Sequence, residues 1–173
     1  MEKRLNRILA EIKKGDKSKF DELYELTNKF VYFTALKIVR DSMSAEDVMH
    51  DVYIAVMRNI LSYSDQNNAL CYISTITKNM ALNFVKKNER AVKVDFTEPL
   101  NEKLFSDSGD MSKPVLDIAA RVLTDDEYEL VLLNVVSGYR QVEISKMRGE
   151  PVSTVNFKIK AALKKIKKEY EGD

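Results

Sequence analysis

The chain has 173 residues, a net charge of +1, one cysteine and one histidine. That length holds one ordinary domain or two small ones, and the lone Cys71 excludes an internal disulfide and fits a reducing compartment. No apolar run approaches a membrane span and the N-terminus lacks a signal-peptide core, so a cytoplasmic protein without membrane insertion is expected.

Charged residues are abundant, Gly and Pro scarce, and apolar residues recur at helical spacing, which predicts an all-α chain. Leu5, Ile8, Leu9 and Ile12 share one face of a first helix ending near Gly15. Ser18-Lys19-Phe20-Asp21 has the form of a capping box and opens a long helix carrying Phe20, Leu23, Thr27, Phe30, Val31, Thr34 and Ile38 inward. Ser44-Ala45-Glu46-Asp47 reads as a second box, followed by Val48, Val52, Ala55, Val56 and Ile60 on one face. Ser62 to Asn68 is turn chemistry. A further helix from about Ala69 to Lys87 places Ile73, Ile76, Met80, Ala81 and Phe84 inward. These helices make a first domain, residues 1–90.

The periodicity then fails. Residues 91–112 hold Pro99, Gly109 and an excess of acids (Asp95, Glu98, Glu102, Asp107 and Asp110), as an acidic linker would. A second domain, residues 113–173, begins with Val115, Leu116, Ile118, Ala119 and Val122. Thr124-Asp125-Asp126-Glu127 is a third capping box, and its helix carries Tyr128, Val131, Leu132 and Val135 to a stop at Ser137-Gly138.

From Gly138 the chain reads as a helix-turn-helix. Gln141 to Met147 is a short helix with Val142, Ile144 and Met147 apolar; Gly149 supplies the corner and Pro151 suits the first position of the next helix. Val152, Val155, Ile159, Ala162, Leu163 and Ile166 form its inward face, and Ser153, Asn156, Phe157, Lys158, Lys160, Lys164, Lys165 and Lys168 its outer one. Between Gly138 and Tyr170 nine basic residues stand against three acidic ones, in a chain that is nearly neutral overall. That concentration fits a polyanion partner, although a solvated basic face has the same composition.

Catalytic chemistry lacks its parts. His50-Asp51 has the form of a phosphohydrolase metal dipeptide, and Asp47 with His50 the carboxylate-x-x-His spacing of di-iron bundles. Either site needs further histidines, and His50 is alone. Neither a nucleophile–histidine pair beyond it nor a phosphate-cradling glycine loop is present, so no enzymatic activity, metal or cofactor is expected.

Taken together, Ala45-Glu46-Asp47-Val48-Met49-His50-Asp51-Val52-Tyr53, the segment Tyr72 to Asn83, and Glu143-Ile144-Ser145 followed by Ser153-Thr154-Val155 resemble motifs of the sigma-70 family, in its extracytoplasmic-function (ECF) group. The resemblance spans about Phe20 to Tyr170, with departures: His50 for the usual Gln, Tyr72 for Trp, Asn83 for Asp, Ser153 for Gly and Ala161 for Arg. It implies two small helical domains, region 2 and region 4, joined by a linker, in a factor that binds core RNA polymerase through the β′ clamp helices and the β flap. Promoter DNA and an anti-sigma factor are the other implied partners.

By the same resemblance Glu46, Asp47, His50, Asp51 and Tyr53 form the polymerase-binding surface; on their own, acids in a first helical turn are equally explained by the helix dipole. Tyr63 belongs to a loop that captures a flipped −10 base, with Tyr72, Lys78, Asn79, Asn83, Lys86 and Lys87 lining the single-strand surface. Ser153, Thr154, Asn156, Phe157 and Lys160 face the −35 major groove, where Asn pairs with adenine and Phe meets a thymine methyl. From its phase alone Phe157 fits the core flank equally well. Arg140, Lys158 and Lys164 hold phosphates. The linker resembles the segment that runs through the polymerase's RNA exit path. A stand-alone helix-turn-helix repressor with a helical oligomerisation domain, or a helical adaptor, is the alternative from composition and pattern.

Overall fold

The computed structural model describes residues 1–64, 68–92 and 113–172, and these form helices with no strand among them. The acidic residues expected of the linker and the middle of the 62–68 turn lie outside the described residues. The chain divides into two units, Glu2–Asp107 and Ser108–Asp173.

In the first unit α2 (Phe20–Val39), α3 (Ser42–Arg58) and α4 (Ala69–Val92) pack against one another, and α1 (Glu2–Lys13) lies against α2 and α4. α1 is amphipathic as expected: Leu5, Ile8, Leu9 and Ile12 are buried, each worth about 1.5–3 kcal/mol of transfer free energy as an upper estimate. The second half of α2 buries Phe30, Val31, Phe33, Thr34, Ala35 and Leu36, so apolar contact runs around most of its circumference, as befits a central helix. It stops at Arg40, which takes a left-handed φ of 58° and donates its N–H to Leu36 O. α4 continues to Val92, beyond the expected end at Lys87.

Two of the three expected capping boxes are replaced. The residue that caps is an aspartate two or three positions earlier in the chain. Asp16 accepts from Ser18 N at 3.1 Å and opens a 3₁₀ turn, Lys17–Lys19, that runs into α2 without a side-chain cap of its own. Asp41 accepts from Ser44 N at 2.7 Å, so α3 starts at Ser42. An ionised carboxylate is the stronger acceptor for helix N–H groups, and its charge suits the positive end of the helix dipole. The third box forms as expected, Thr124 Oγ1 accepting from Glu127 N and Glu127 Oε2 from Thr124 N.

The second unit is organised around α8 (Val152–Glu171), against which α5 (Lys113–Val122), α6 (Asp125–Val131) and α7 (Gln141–Arg148) all pack. α6 widens into a π turn over Leu132–Val136, closed by Ser137 N donating to Leu132 O at 2.9 Å. Gly149, at φ 66°, makes the corner between α7 and α8. Pro151 stands one place earlier than expected, as the N-cap residue of α8. Val155, Ile159, Ala162 and Ile166 are its buried stripe, whereas Val152 and Leu163, expected inward, are 39% and 42% exposed at the stripe's edges. Val135 and Val142 are likewise exposed.

Candidate nucleic-acid interface

The buried stripe of α8 leaves Ser153, Phe157, Lys160 and Lys164 on the exposed side. Phe157 is 74% exposed, which places it off the core and on the face expected to meet DNA. A large apolar ring left in water on a basic helix has no role in this unit's packing. Thr154 is half-buried, and so is Asn156, whose Oδ1 is enclosed without a hydrogen-bond partner. In that rotamer Asn156 cannot offer both amide atoms to a base edge; bidentate pairing requires the side chain to swing outward.

Part of the positive charge is used internally. Arg148, 20% exposed, pairs with Asp126, with Glu150 at 2.8 Å and with Glu129 at 3.5 Å. Lys158 reaches Glu150 at 2.7 Å and Asp126 at 3.1 Å, and Lys165 reaches Glu127 at 2.7 Å. The network ties the corner, α7 and α8 to α6. Lys158, expected to hold a phosphate, is thus already engaged by carboxylates. Hydrogen bonds from Lys158 and Arg148 hold the Glu150 carboxyl below its ordinary range. The bond from Lys165 does the same for Glu127, and the Arg140 N–H, at 2.8 Å, for Glu143. Arg140 itself is exposed and lies 3.6 Å from Glu143.

Sequence reasoning counted Arg148 as one more basic residue and missed its structural role. The available signal was the spacing of Asp126 and Glu129, which puts both on one side of α6.

In the first unit Glu46, Asp47, His50 and Asp51 are all exposed on α3, but Tyr53 is not with them. It is 3% exposed and packs on Tyr24 and Phe20, with ring centroids 5.0 and 5.8 Å away. Thr27 Oγ1 donates to Leu23 O at 2.7 Å, so the Tyr53 hydroxyl, also at 2.7 Å, must be the donor to Thr27. Burial raises the Tyr53 pKa well above the ordinary phenol value, partly offset by that bond, and the ring stays neutral. Beside the acidic face opens a groove of about 620 Å³ lined by Phe20, Tyr24, His50, Ile54 and Met57, which the sequence reading had not found.

The α4 face opposite buried Ile73, Thr77 and Ala81 carries Asn79, Asn83, Lys86 and Lys87, all exposed, with Lys78 half-buried at its margin. Spacings of four and three keep Asn79, Asn83 and Lys86 on one side. Tyr63 departs from expectation. It is 1% exposed and lies 5.2 Å from the Tyr72 ring, so its own ring is unavailable for stacking on a base. Tyr72 is half-buried and donates to Asn59 O at 3.2 Å. Among the described residues no cluster of His, Cys, Asp or Glu could hold a metal ion, and no helix is long and apolar enough to cross a membrane.

A sequence profile of sigma-70 region 2 matches residues 23–91, the stretch that contains α3, α4 and the turn between them. The ECF RNA polymerase sigma factor SigK of Mycobacterium tuberculosis (strain H37Rv) is 24% identical over 172 residues, covering 94% of this chain and 91% of that protein. Residues 23–91 thus carry a sigma-70 region 2 match, and the chain is similar to ECF sigma factors along nearly its whole length. SigK of Mycobacterium ulcerans is 23% identical over 176 residues, with the same coverage of both chains. Among solved structures, CnrH in complex with the cytosolic domain of CnrY superposes with a TM-score of 0.62 at 16% identity, covering 97% of each chain. The sigma factor RpoE of Bartonella quintana, in complex with the anti-sigma factor NepR, gives 0.58 at 17% identity, over 89% of this chain and 98% of that one. These structures share the fold. These matches support a sigma-factor role in transcription initiation and give no support to a stand-alone repressor.

Proposed function

We propose that this chain acts as a sigma factor, docking on core RNA polymerase through the acidic face of α3 and reading promoter DNA with both units. Glu46, Asp47 and Asp51 present carboxylates on one exposed helix face, a surface that suits a basic partner helix. In the second unit Ser153, Phe157 and Lys160 meet the −35 duplex, and Arg140 and Lys164 hold its phosphates. Lys158 contributes to phosphate binding only by exchanging Glu150 and Asp126 for DNA, which is worth less than a free lysine. In the first unit Asn79, Asn83, Lys86 and Lys87 line a track for the melted −10 strand. Base capture is assigned to the turn that follows Tyr63, whose own ring is buried against half-buried Tyr72 and does not stack.

The observation that carries this reading is the exposed Phe157 on the basic helix-turn-helix, in a chain similar to ECF sigma factors along nearly its whole length. Promoter opening is driven by binding to unstacked bases, without catalysis by the factor itself. CnrH and the Bartonella RpoE are held in complexes, the latter with an anti-sigma factor, and a similar inhibitor in the cytoplasm is the natural regulator of this chain.

In vitro transcription with purified core polymerase on a library of promoter fragments tests it. New start sites sharing two upstream elements are expected. Phe157→Ala should weaken use of the −35 element about 5–30-fold, as a lost 1–2 kcal/mol contact would, without lowering thermal stability. A core enzyme that gains no start site refutes the reading.

A further inference from the structure

Lys158 and Arg148 share two carboxylates, and the four groups close a ring. Glu150 Oε1 accepts from Arg148 Nε at 2.8 Å, and Glu150 Oε2 accepts from Lys158 Nζ at 2.7 Å. Asp126 divides its oxygens in the same way: Oδ1 meets Arg148, and Oδ2 lies 3.1 Å from Lys158 Nζ. Glu129 adds a third carboxylate, 3.5 Å from Arg148. Two cations therefore face three anions at the corner of the helix-turn-helix. By contrast Lys160 and Lys164, on the exposed side of α8, make no ion pair among the described residues.

The two cations of the ring are not equally bound to it. Arg148 is the more enclosed, and its guanidinium holds α7 to α6. Lys158 is 33% exposed and stands on the flank of α8, about 100° around the helix from Phe157. Its flexible four-carbon stem can swing from the carboxylates to a phosphate beside α8 and leave the buried stripe undisturbed. The carboxylates cannot follow. Glu150 is anchored through its backbone, its N–H donating to Ser145 O at 3.2 Å and its O accepting from Ser145 Oγ at 2.6 Å. Arg148 keeps one oxygen of each carboxylate. A phosphate that draws Lys158 away thus approaches two fixed anions that have just lost a cation.

We propose that Asp126 and Glu150 are negative determinants of promoter affinity, holding Lys158 in reserve and keeping the −35 contact weaker than the charge of α8 allows, an inference that rests on the −35 reading above. Neither residue touches DNA. Their effect is one withheld phosphate contact. Each phosphate neutralised by a protein cation steepens the log–log salt dependence of duplex binding by about 0.9. Withholding one lowers the sequence-independent share of binding, so that more of what remains rests on Ser153, Phe157 and Lys160.

The test uses the full chain on core polymerase and a duplex carrying the −35 element of a promoter found in the transcription screen, titrated across about 50–200 mM salt. Glu150→Gln and Asp126→Asn keep size and hydrogen bonding and remove the charge. E150Q, which neutralises the closer partner, should tighten binding and steepen the slope by about 0.5–0.9, the upper value being one full phosphate contact. That makes its gain roughly two- to threefold larger at the low-salt end than at the high-salt end. D126N should give a smaller gain of the same kind. Adding Lys158→Met to E150Q should abolish the gain. In the wild-type chain K158M should leave the slope nearly unchanged, whereas Lys164→Met should flatten it by about 0.9. Slopes equal to the wild type in both E150Q and D126N overturn the proposal. So does a gain that survives in E150Q/K158M, which would be bulk charge alone. If K158M flattens the wild-type slope as much as K164M, Lys158 already serves DNA and the proposal is wrong. If neither K164M nor Phe157→Ala alters duplex binding, α8 does not meet the −35 element, and the proposal falls with that reading. Should E150Q and D126N loosen the unit through Arg148, the comparison of K158M with K164M, which leaves every carboxylate in place, decides alone.

Discussion

Replacing Arg148 by methionine should loosen the whole helix-turn-helix while leaving the exposed side chains of α8 untouched. Methionine keeps much of the aliphatic stem and so most of the packing. What is lost is the guanidinium that joins Asp126, Glu129 and Glu150. Exposed ion pairs contribute about 0.2–1 kcal/mol, and breaking a fully buried pair costs about 3–5 kcal/mol. Arg148 is 20% exposed and its partners 22–42%, between those limits and nearer the first for each pair taken singly. Three partners on one planar group raise the total, and about 2 kcal/mol is the expected loss. Native-state hydrogen exchange of α7 amides reads this directly, as an increase of roughly 30-fold in opening. Arg148→Lys should lose about half as much, because an ammonium cannot fork across three carboxylates. A change below about twofold for R148M would mean that the network is no more than a set of solvated surface pairs.

Together with the Glu143 cap on α7, the same network sets an acid limit for the second unit. Glu127, Glu143 and Glu150 titrate below the ordinary glutamate value of 4.5 when folded. The stability they add is therefore complete above that value and lost as pH falls through their folded pKa values. A pH series of α6–α8 hydrogen exchange should show protection falling below about 4.5, less steeply in R148M, and a flat profile would exclude the mechanism. In the first unit, Tyr53→Phe removes the donor to a buried Thr27 oxygen and should cost about 1 kcal/mol. Because the ring faces inward, binding of core polymerase at a temperature where the variant is fully folded should not change. A selective loss of polymerase affinity would return Tyr53 to the docking surface.

Periodicity made the helices legible, because the core-facing stripes of α1, α2, α3 and α8 repeat at 3.6 residues whatever packs on them. The caps were harder. At Asp16/Ser18 and Asp41/Ser44 two acceptors compete within three residues, and local pattern does not say which backbone turn the tertiary structure will select. Tyr53 shows a different failure. Its phase, four residues from Met49 and three from Val56, points inward, whereas its place on the docking surface is implied by the resemblance alone. Tyr63 sits among polar turn residues, yet its ring is buried against Tyr72 of the next helix. Lys158 was legible as a cation but not as a paired one, since Asp126 lies on another helix. Long-range pairing of this kind leaves no local signature.

α8 is the keel of its unit and, in the function proposed above, also the face offered to promoter DNA, and those two duties fall on separate side chains. Val155, Ile159, Ala162 and Ile166 answer to the fold, whereas Ser153, Phe157, Lys160 and Lys164 stand clear of it. Exchanging the second group costs the protein little stability. A lineage can therefore drift from one set of promoters to another by substitutions that folding does not penalise, with selection acting on the genes switched on.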